Sequence, residues 1–97
     1  MPTEMYNPAH PGEVLREFLE GRSIGDVAAH IGISRVMLSK ILNQHAGVTA
    51  EMSIRLSAAL GTSPSLWFDM QKNWEFAQAR RKKFPKIARL APLRAAA

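Results

Sequence analysis

The sequence predicts an all-α domain of five short helices, followed by a basic C-terminal tail. Apolar residues recur at helical spacing between positions 11 and 82, and glycines or capping residues separate the periodic segments. No segment shows the alternation expected of a strand. We therefore divide the 97 residues into an extended N-terminal segment (1–10), one helical domain (11–82) and a basic, flexible tail (83–97).

The first two helices are predicted from the residues at their ends. A helix begins near Pro11, because proline suits the first helical position, and Gly21 ends it. A second helix follows the N-cap Ser23 and ends at Gly32, which can adopt the positive φ of a sharp turn. Ala28 is small enough to let a neighbouring helix cross closely. The predicted buried face of the first helix consists of Val14, Leu15, Phe18 and Leu19.

Three further helices are predicted in the same way. The third spans residues 34 to 42 or 43, and the fourth lies between the N-cap at position 49 and the glycine at position 61. Ser63 is the predicted N-cap of the fifth helix, with Pro64 at its first position. Its helical spacing of apolar residues continues to about Lys82.

The stretch Ile24–Gln44 has the spacing of a helix-turn-helix, with Gly32 in the turn. The exposed face of its second helix lacks acid, since no Asp or Glu lies between Asp26 and Glu51. Phosphate repels carboxylates, so such a face suits a DNA major groove. Many small helical proteins have two helices around a glycine turn without touching DNA, and that alternative stays open here. The candidate DNA contacts are Ser34, Arg35, Val36, Ser39, Lys40, Asn43, Gln44 and Thr49.

Arg35 is the strongest of these candidates, because it lies in the first turn of the third helix, where side chains reach base edges. Its planar guanidinium matches the O6 and N7 atoms of guanine. Lys40 is placed to touch a base or a phosphate, and Val36 either meets a thymine methyl group or packs against the neighbouring helix. The remaining polar candidates either bind phosphate or act as ordinary cap and loop residues.

The positive charge of the chain belongs to its C-terminal part. Residues 1–71 contain five Lys or Arg against seven Asp or Glu, whereas residues 72–97 contain eight against one, so the net charges are −2 and +7. We therefore expect the tail, before the helix-turn-helix, to bind a polyanionic partner. One interpretation of the four cations at 80–83 is a solvated helix end. The other is an arm that either follows DNA phosphates, which adds non-specific affinity, or binds an acidic surface.

Residue content and spacing argue against several other functions. The chain has no cysteine, and its three histidines have no i,i+4 pair, so we expect no metal site and no cofactor. The carboxylates are scattered, so we expect no catalytic residue and no small-molecule substrate. No apolar run has the length of a membrane span, and the chain does not begin with a signal peptide, so we expect a cytoplasmic protein without a membrane partner.

The fifth helix is apolar on more than one face. Trp67, Met70 and Trp74 form a stripe that faces the core by default, whereas Phe68 and Phe76 lie away from it. A helix that is apolar beyond one stripe usually has a second packing partner, and a second copy of this short chain is the natural candidate. The alternative is that the tail folds back over Phe68 and Phe76. The predicted homodimer interface consists of Leu66, Phe68, Met70, Trp74 and Phe76.

Three motifs resemble those of a known family. The order of helices resembles the Xre, or lambda-repressor-like, DNA-binding domains. Residues 7–13 (NPAHPGE) resemble the opening signature of the HigA-type antitoxins, residues 34–43 their recognition helix, and residues 55–71 their last two helices. The resemblance covers about residues 5–80 and excludes the tail. It implies that a dimer binds operator DNA and that the partner is a HigB-type toxin, which cleaves mRNA.

The polar face of the first helix is the predicted toxin-binding surface. Glu13, Glu17 and Glu20 lie there, and the RNA-binding toxin implied by the resemblance is expected to be basic. An acidic face attracts a basic protein and speeds its capture, so we predict that these three glutamates bind the toxin. The alternative is that they only solvate the helix, with Arg16 pairing with Glu20 four residues on.

The sequence favours one function and leaves two others open. The favoured function is an antitoxin that neutralises a toxin and represses its own operon as a dimer. The first alternative is a free-standing Xre-type repressor without a toxin. The second is a protein-interaction module that kept the helices and lost DNA binding, and the acid-free face with Arg35 argues against it.

Overall fold

The computed structural model describes residues 7–93, which form five α-helices and, within this range, no β-strand. This architecture confirms the predicted all-α class. In the core of the fold, α1 packs against α3 and α5, α2 packs against α3 and α4, and α4 packs against α5. The helices are α1 (Pro11–Phe18), α2 (Ile24–Ile31), α3 (Arg35–Leu42), α4 (Ala50–Leu60) and α5 (Leu66–Arg80).

The predicted caps are confirmed at the ends of α2, α3 and α4. The side-chain oxygens of Ser23, Ser34 and Thr49 each accept a hydrogen bond from the backbone N–H three residues on, at 3.3, 3.0 and 3.2 Å. Gly32 and Gly61 end α2 and α4 with φ values of 80° and 74°. Glycine adopts this left-handed conformation without the steric cost of a Cβ, so the sharp turn between α2 and α3 is set locally.

The predicted start of α5 is wrong. The helix begins at Leu66, its N-cap is Ser65 rather than Ser63, and it ends at Arg80. The backbone N–H of Leu66 instead donates to the carbonyl of Ser63 at 3.2 Å, which closes a turn around Pro64. Proline suits the second position of such a turn as well as the first position of a helix, so the sequence signal was ambiguous.

The first helix ends earlier than predicted. It stops at Phe18, with Leu19 as its C-cap, and Gly21 lies in the following turn with a φ of 85°. Leu19 is nevertheless buried, so the predicted inner face of α1 persists beyond its last helical turn. Phe18 remains 46% exposed and places its ring edge-on to Trp67, with the centroids 5.2 Å apart.

Trp67 occupies the centre of the core and is fully buried. Its indole N–H donates to the hydroxyl of Thr62 at 3.1 Å, so the one polar atom of this side chain is satisfied. Burying a large aromatic side chain stabilises a small domain that has little core to spare. The other buried hydrophobic residues are Leu15, Leu19, Ala28, Ile31, Leu38, Ile41, Leu42, Val48 and Leu56.

The N-terminal end of α1 approaches the backbone of α3 closely at Gly12. A Cβ on this residue would overlap the carbonyl oxygen of Ile41. The lack of a side chain, and not an unusual backbone conformation, is therefore what this position requires. Through this contact α1 packs against the side of α3 that lies opposite its solvent-exposed face.

The described part of the tail packs against no other element. Residues 83–93 have no helix or strand, and every residue from 79 to 93 is exposed. Phe76 also remains 65% exposed, so residues 83–93 of the tail do not cover it, contrary to the alternative in which the tail folds back. Within residues 7–93, no helix has the length and hydropathy needed to cross a membrane.

Candidate nucleic-acid interface

The outer face of α3 is polar, acid-free and open to solvent. Arg35 and Lys40 are exposed, and Val36 is 64% exposed. On the opposite side of the helix, Leu38 and Ile41 are fully buried. The core therefore anchors α3 by one face and leaves the other free, as docking into a DNA major groove requires.

Five of the eight predicted DNA contacts lie together. They line one shallow groove of about 300 Å³, which they share with Ile24 from the start of α2 and His45 from the loop after α3. The groove contains two cations, two neutral polar side chains, a histidine and a small apolar surface. Such a surface can meet phosphates, base edges and a thymine methyl group at once. The five residues are Arg35, Val36, Ser39, Lys40 and Asn43.

The other three predicted contacts lie outside this groove. The side-chain oxygens of Ser34 and Thr49 cap α3 and α4, but each hydroxyl keeps a hydrogen that can be donated to a phosphate. Gln44 is exposed and has a φ of 63°, the only positive value among the non-glycine residues from 7 to 93. This left-handed turn carries the chain away from the end of α3.

Helix α1 holds the end of α3 through Arg16. Its guanidinium donates to the carbonyl of Leu42 at 3.1 Å and to Oδ1 of Asn43 at 2.8 Å. The amide Nδ2 of Asn43 in turn donates to the hydroxyl of Ser39 at 3.3 Å. Arg16 is thus directed to α3 rather than to Glu20, and it orients the Asn43 side chain beside the groove. A cation at the C-terminal end of a helix is also favoured by the helix dipole.

Gln71 fixes the loop between α3 and α4. Its side chain is 5% exposed, and its Oε1 accepts a hydrogen bond from the backbone N–H of Val48 at 3.0 Å. Its Nε2 donates to Glu75 at 2.8 Å. Sequence reasoning missed this residue, although Gln71 lies at helical spacing between Trp67 and Trp74. A polar residue within an apolar stripe was the available signal.

His10 is a second residue that sequence reasoning missed, as the buried N-cap of α1. Its Nδ1 accepts a hydrogen bond from the backbone N–H of Gly12 at 2.9 Å, and its ring meets Trp74 edge-on at 4.8 Å. Burial lowers the pKa of His10 below the ordinary value of 6.5, and the negative charges of Glu13 and Glu75 oppose this shift. The imidazole is therefore neutral at pH 7.

Because the pKa of His10 is lowered on folding, we expect stability to fall on acidification. Well above pH 6.5 the imidazole is neutral in both states. Below that value the unfolded chain takes up a proton that the folded chain resists, so the free energy of unfolding decreases until the folded pKa is passed. Urea unfolding at a series of pH values above the range of carboxylate titration measures this decrease.

Two variants distinguish the buried histidine from an exposed one. His10→Asn keeps a side-chain acceptor at the N-cap but does not titrate, so the decrease below pH 6.5 should disappear. His30→Asn changes an exposed residue of α2 and should leave the decrease intact. A wild-type profile that is flat across this range contradicts the assignment.

The predicted toxin-binding glutamates share a groove between α1 and α2. Glu13, Glu17 and Glu20 are exposed and line a hollow of about 490 Å³. Its apolar lining includes Ile24 and Val27 of α2. The three carboxylates are therefore brought together at the rim of one concave, partly apolar surface.

The five predicted dimer residues are unequally exposed in the single chain. Leu66 and Met70 pack against the core, and Trp74 contacts His10. Phe68 is half-buried with the Lys72 ammonium 5.2 Å from its ring centroid. Phe76 has the largest free surface of the five. An interface built on α5 therefore centres on its Phe68 and Phe76 edge.

Comparison with known proteins agrees with this arrangement. A helix-turn-helix family profile matches residues 14–67, which include most of α1, all of α2 to α4 and the start of α5. The chain belongs to this family of Xre-like helix-turn-helix domains, which bind DNA. Among the described residues, no three His, Asp or Glu side chains cluster as a metal site would require.

Its relatives include antitoxins of the HigA type, which confirms the resemblance. The chain is 32% identical over 80 residues to the uncharacterized HTH-type transcriptional regulator YddM of Escherichia coli, covering 80% of this chain and 85% of that protein. It is 40% identical over 68 residues to antitoxin HigA-1 of Vibrio cholerae, covering 66% and 63%. Pseudomonas aeruginosa antitoxin HigA, solved with the higBA promoter, matches with a TM-score of 0.71 and 35% identity, covering 74% and 82%.

Proposed function

We propose that this chain is the antitoxin of a type II toxin–antitoxin module. It binds its own operator as a homodimer and represses transcription, and it neutralises a HigB-type toxin that cleaves mRNA. The proposed DNA binding rests on the groove on α3. Two cations and two neutral polar side chains line this groove, and no carboxylate does. The similar Pseudomonas aeruginosa antitoxin HigA was solved with the higBA promoter, which supports operator binding by this chain.

Two measurements test the proposed function. The first is binding of the full chain to the DNA upstream of its own gene, compared with random DNA at the same salt concentration. The second is co-purification with the product of the adjacent reading frame, together with loss of that product's RNA cleavage. Operator binding without a toxin partner would identify a free-standing repressor, and failure of both measurements would overturn the proposal.

The proposed dimer provides two recognition helices for one operator. One α3 reads only a few base pairs, whereas two-fold symmetry places two such helices about 34 Å apart, one turn of DNA. We expect light scattering to give the mass of a dimer, and Phe76→Glu to shift the protein towards the monomer. Phe76 is 65% exposed, so the change should leave the fold intact. A wild-type monomer that binds an asymmetric site singly contradicts this prediction.

The proposed toxin contact is electrostatic, so reversing its charge should slow association. We expect Glu13→Lys with Glu17→Lys to reduce the association rate of the basic toxin by about tenfold and to leave operator binding nearly unchanged. The matched control is Glu51→Lys with Asp69→Lys, which changes the net charge equally at exposed carboxylates on α4 and α5. Surface plasmon resonance at low salt measures both. Unchanged toxin association with weakened operator binding would show that the partner lies elsewhere.

A further inference from the structure

The tail carries a stripe of large apolar side chains that no other residue between 7 and 93 covers. Phe84, Ile87, Leu90 and Leu93 are 64%, 81%, 92% and 105% exposed. Single exposed apolar residues are common on protein surfaces, but four within ten residues of one exposed segment are not. Their burial against some surface would be favourable, and that surface is not provided by the described part of this chain.

The spacing of these residues gives the tail two distinct faces. They recur every third residue, and the cations Lys83, Lys86 and Arg89 recur at the same interval one position earlier. An extended polyproline-type segment has three residues per turn, so each set lines its own edge. In an α-helix the same spacing turns by about 60° at each step, so each set would spread over about half of the helix surface instead of lining one edge. Pro85 and Pro92 also favour the extended form.

A DNA backbone fits only one of these faces. Phosphates would pair with the cations but would leave the apolar edge in water. A surface that accepts both faces needs an apolar floor and an acidic rim.

The groove between α1 and α2, which extends to the end of α4, has this composition. It consists of two hollows of about 610 and 490 Å³ that share four lining residues, among them Leu19 and Val27 of its apolar floor. Four carboxylates line the groove, but only two guanidinium groups do, those of Arg16 and Arg22. Arg16 is already hydrogen-bonded to the end of α3. The carboxylates are those of Glu13, Glu17, Glu20 and Asp26.

We propose that residues 83–93 of one copy dock in the α1–α2 groove of a second copy. Within residues 7–93 of a single chain, neither the apolar edge of the tail nor the groove is covered, so the complementary surfaces are available between copies. The tail leaves the domain where Arg81 bonds to Asn7, beside the start of α1. Two reciprocal contacts of this kind close a two-fold pair without leaving a free tail or a free groove.

The exchange of tails has a regulatory consequence, which rests on the proposed function. The docked tail covers Glu13, Glu17 and Glu20, the carboxylates proposed to bind the toxin. Tail and toxin therefore compete for one surface, and association of the antitoxin with itself lowers its capture of the toxin.

The experiment uses the full chain alone, without toxin or DNA. The sequence contains no cysteine, so Ala91→Cys provides a unique site for a nitroxide spin label. Spin-labelled protein is mixed with ¹⁵N-labelled wild-type protein, so that only contacts between copies broaden the observed amide signals. We expect the signals of Glu17, Glu20 and Val27 to lose intensity and to recover when the nitroxide is reduced.

A matched pair of substitutions in the spin-labelled copy tests the apolar edge. Ile87→Asp places a charge on that edge and should abolish the broadening. Ala88→Asp makes the same change of charge on the neighbouring edge of small residues and should leave most of the broadening. If the signals of the groove broaden only when the nitroxide and the ¹⁵N label are in the same chain, the tail docks within its own copy. That outcome, or no broadening at α1 and α2 at all, would overturn the proposal.

Discussion

Replacing Arg35 with alanine is expected to weaken binding to the operator by about 1–3 kcal/mol, the usual effect of losing a bidentate contact with guanine. Arg35 is exposed in the first turn of α3, and its side chain lines the groove of the candidate interface. It contributes nothing to the buried core, so the free energy of unfolding should remain close to that of the wild type.

The comparison of two DNA sequences and two variants makes this prediction specific. Binding of each protein to the operator and to random DNA is measured at one fixed salt concentration. Arg22→Ala removes an exposed arginine outside α3 and serves as the control for the loss of a positive charge. An equal loss on operator and random DNA for Arg35→Ala would assign Arg35 to a phosphate rather than to a base.

Replacing Gly12 with alanine is expected to destabilise the protein by about 3 kcal/mol, because the new methyl group overlaps backbone that cannot move independently. The carbonyl oxygen of Ile41 belongs to α3, so relief of the overlap requires α1 and α3 to separate. For a domain of this size the loss corresponds to a fall in melting temperature of about 10–20 °C. Thermal unfolding followed by circular dichroism measures it.

Gly25→Ala is the matched control, since it adds the same methyl group to another helical glycine. A Cβ at Gly25 would have its nearest neighbours at 3.8 Å, an ordinary contact distance. This substitution should be neutral or stabilise the protein by about 0.5 kcal/mol, because alanine lowers the entropy of the unfolded chain. A stability of Gly12→Ala equal to that of Gly25→Ala would contradict the close approach of α1 to α3.

The two glycines also show how far sequence reasoning reaches. Gly32 was predicted to take a positive φ, because the helical segments on either side require a sharp turn, and its φ is 80°. Gly12 resembles any other glycine in a short motif, because its requirement arises from Ile41, twenty-nine residues away. Local conformation is encoded by neighbouring residues, whereas the space at a helix crossing depends on a partner that only the fold supplies.

The candidate interface, too, was predicted from the sequence only where it depends on neighbouring residues. The exposed, acid-free face of α3 follows from the spacing of apolar and charged residues within one helix, so the sequence alone predicted it. The support behind that face comes from other helices, through Arg16 of α1 and Gln71 of α5. Both side chains are unremarkable in sequence, because the carbonyl and amide groups that they satisfy lie in distant parts of the chain.

By itself the sequence determined the helical class, the turn between α2 and α3, the three side-chain caps and the position of the charge in the tail. Each depends on residues within a few positions of one another, where propensity, capping and periodicity act. The tertiary structure alone decided that His10 is buried against Trp74, that the acidic residues of α1 face a groove, and where α5 begins. These outcomes depend on which surfaces pack together, and packing is a property of the whole chain.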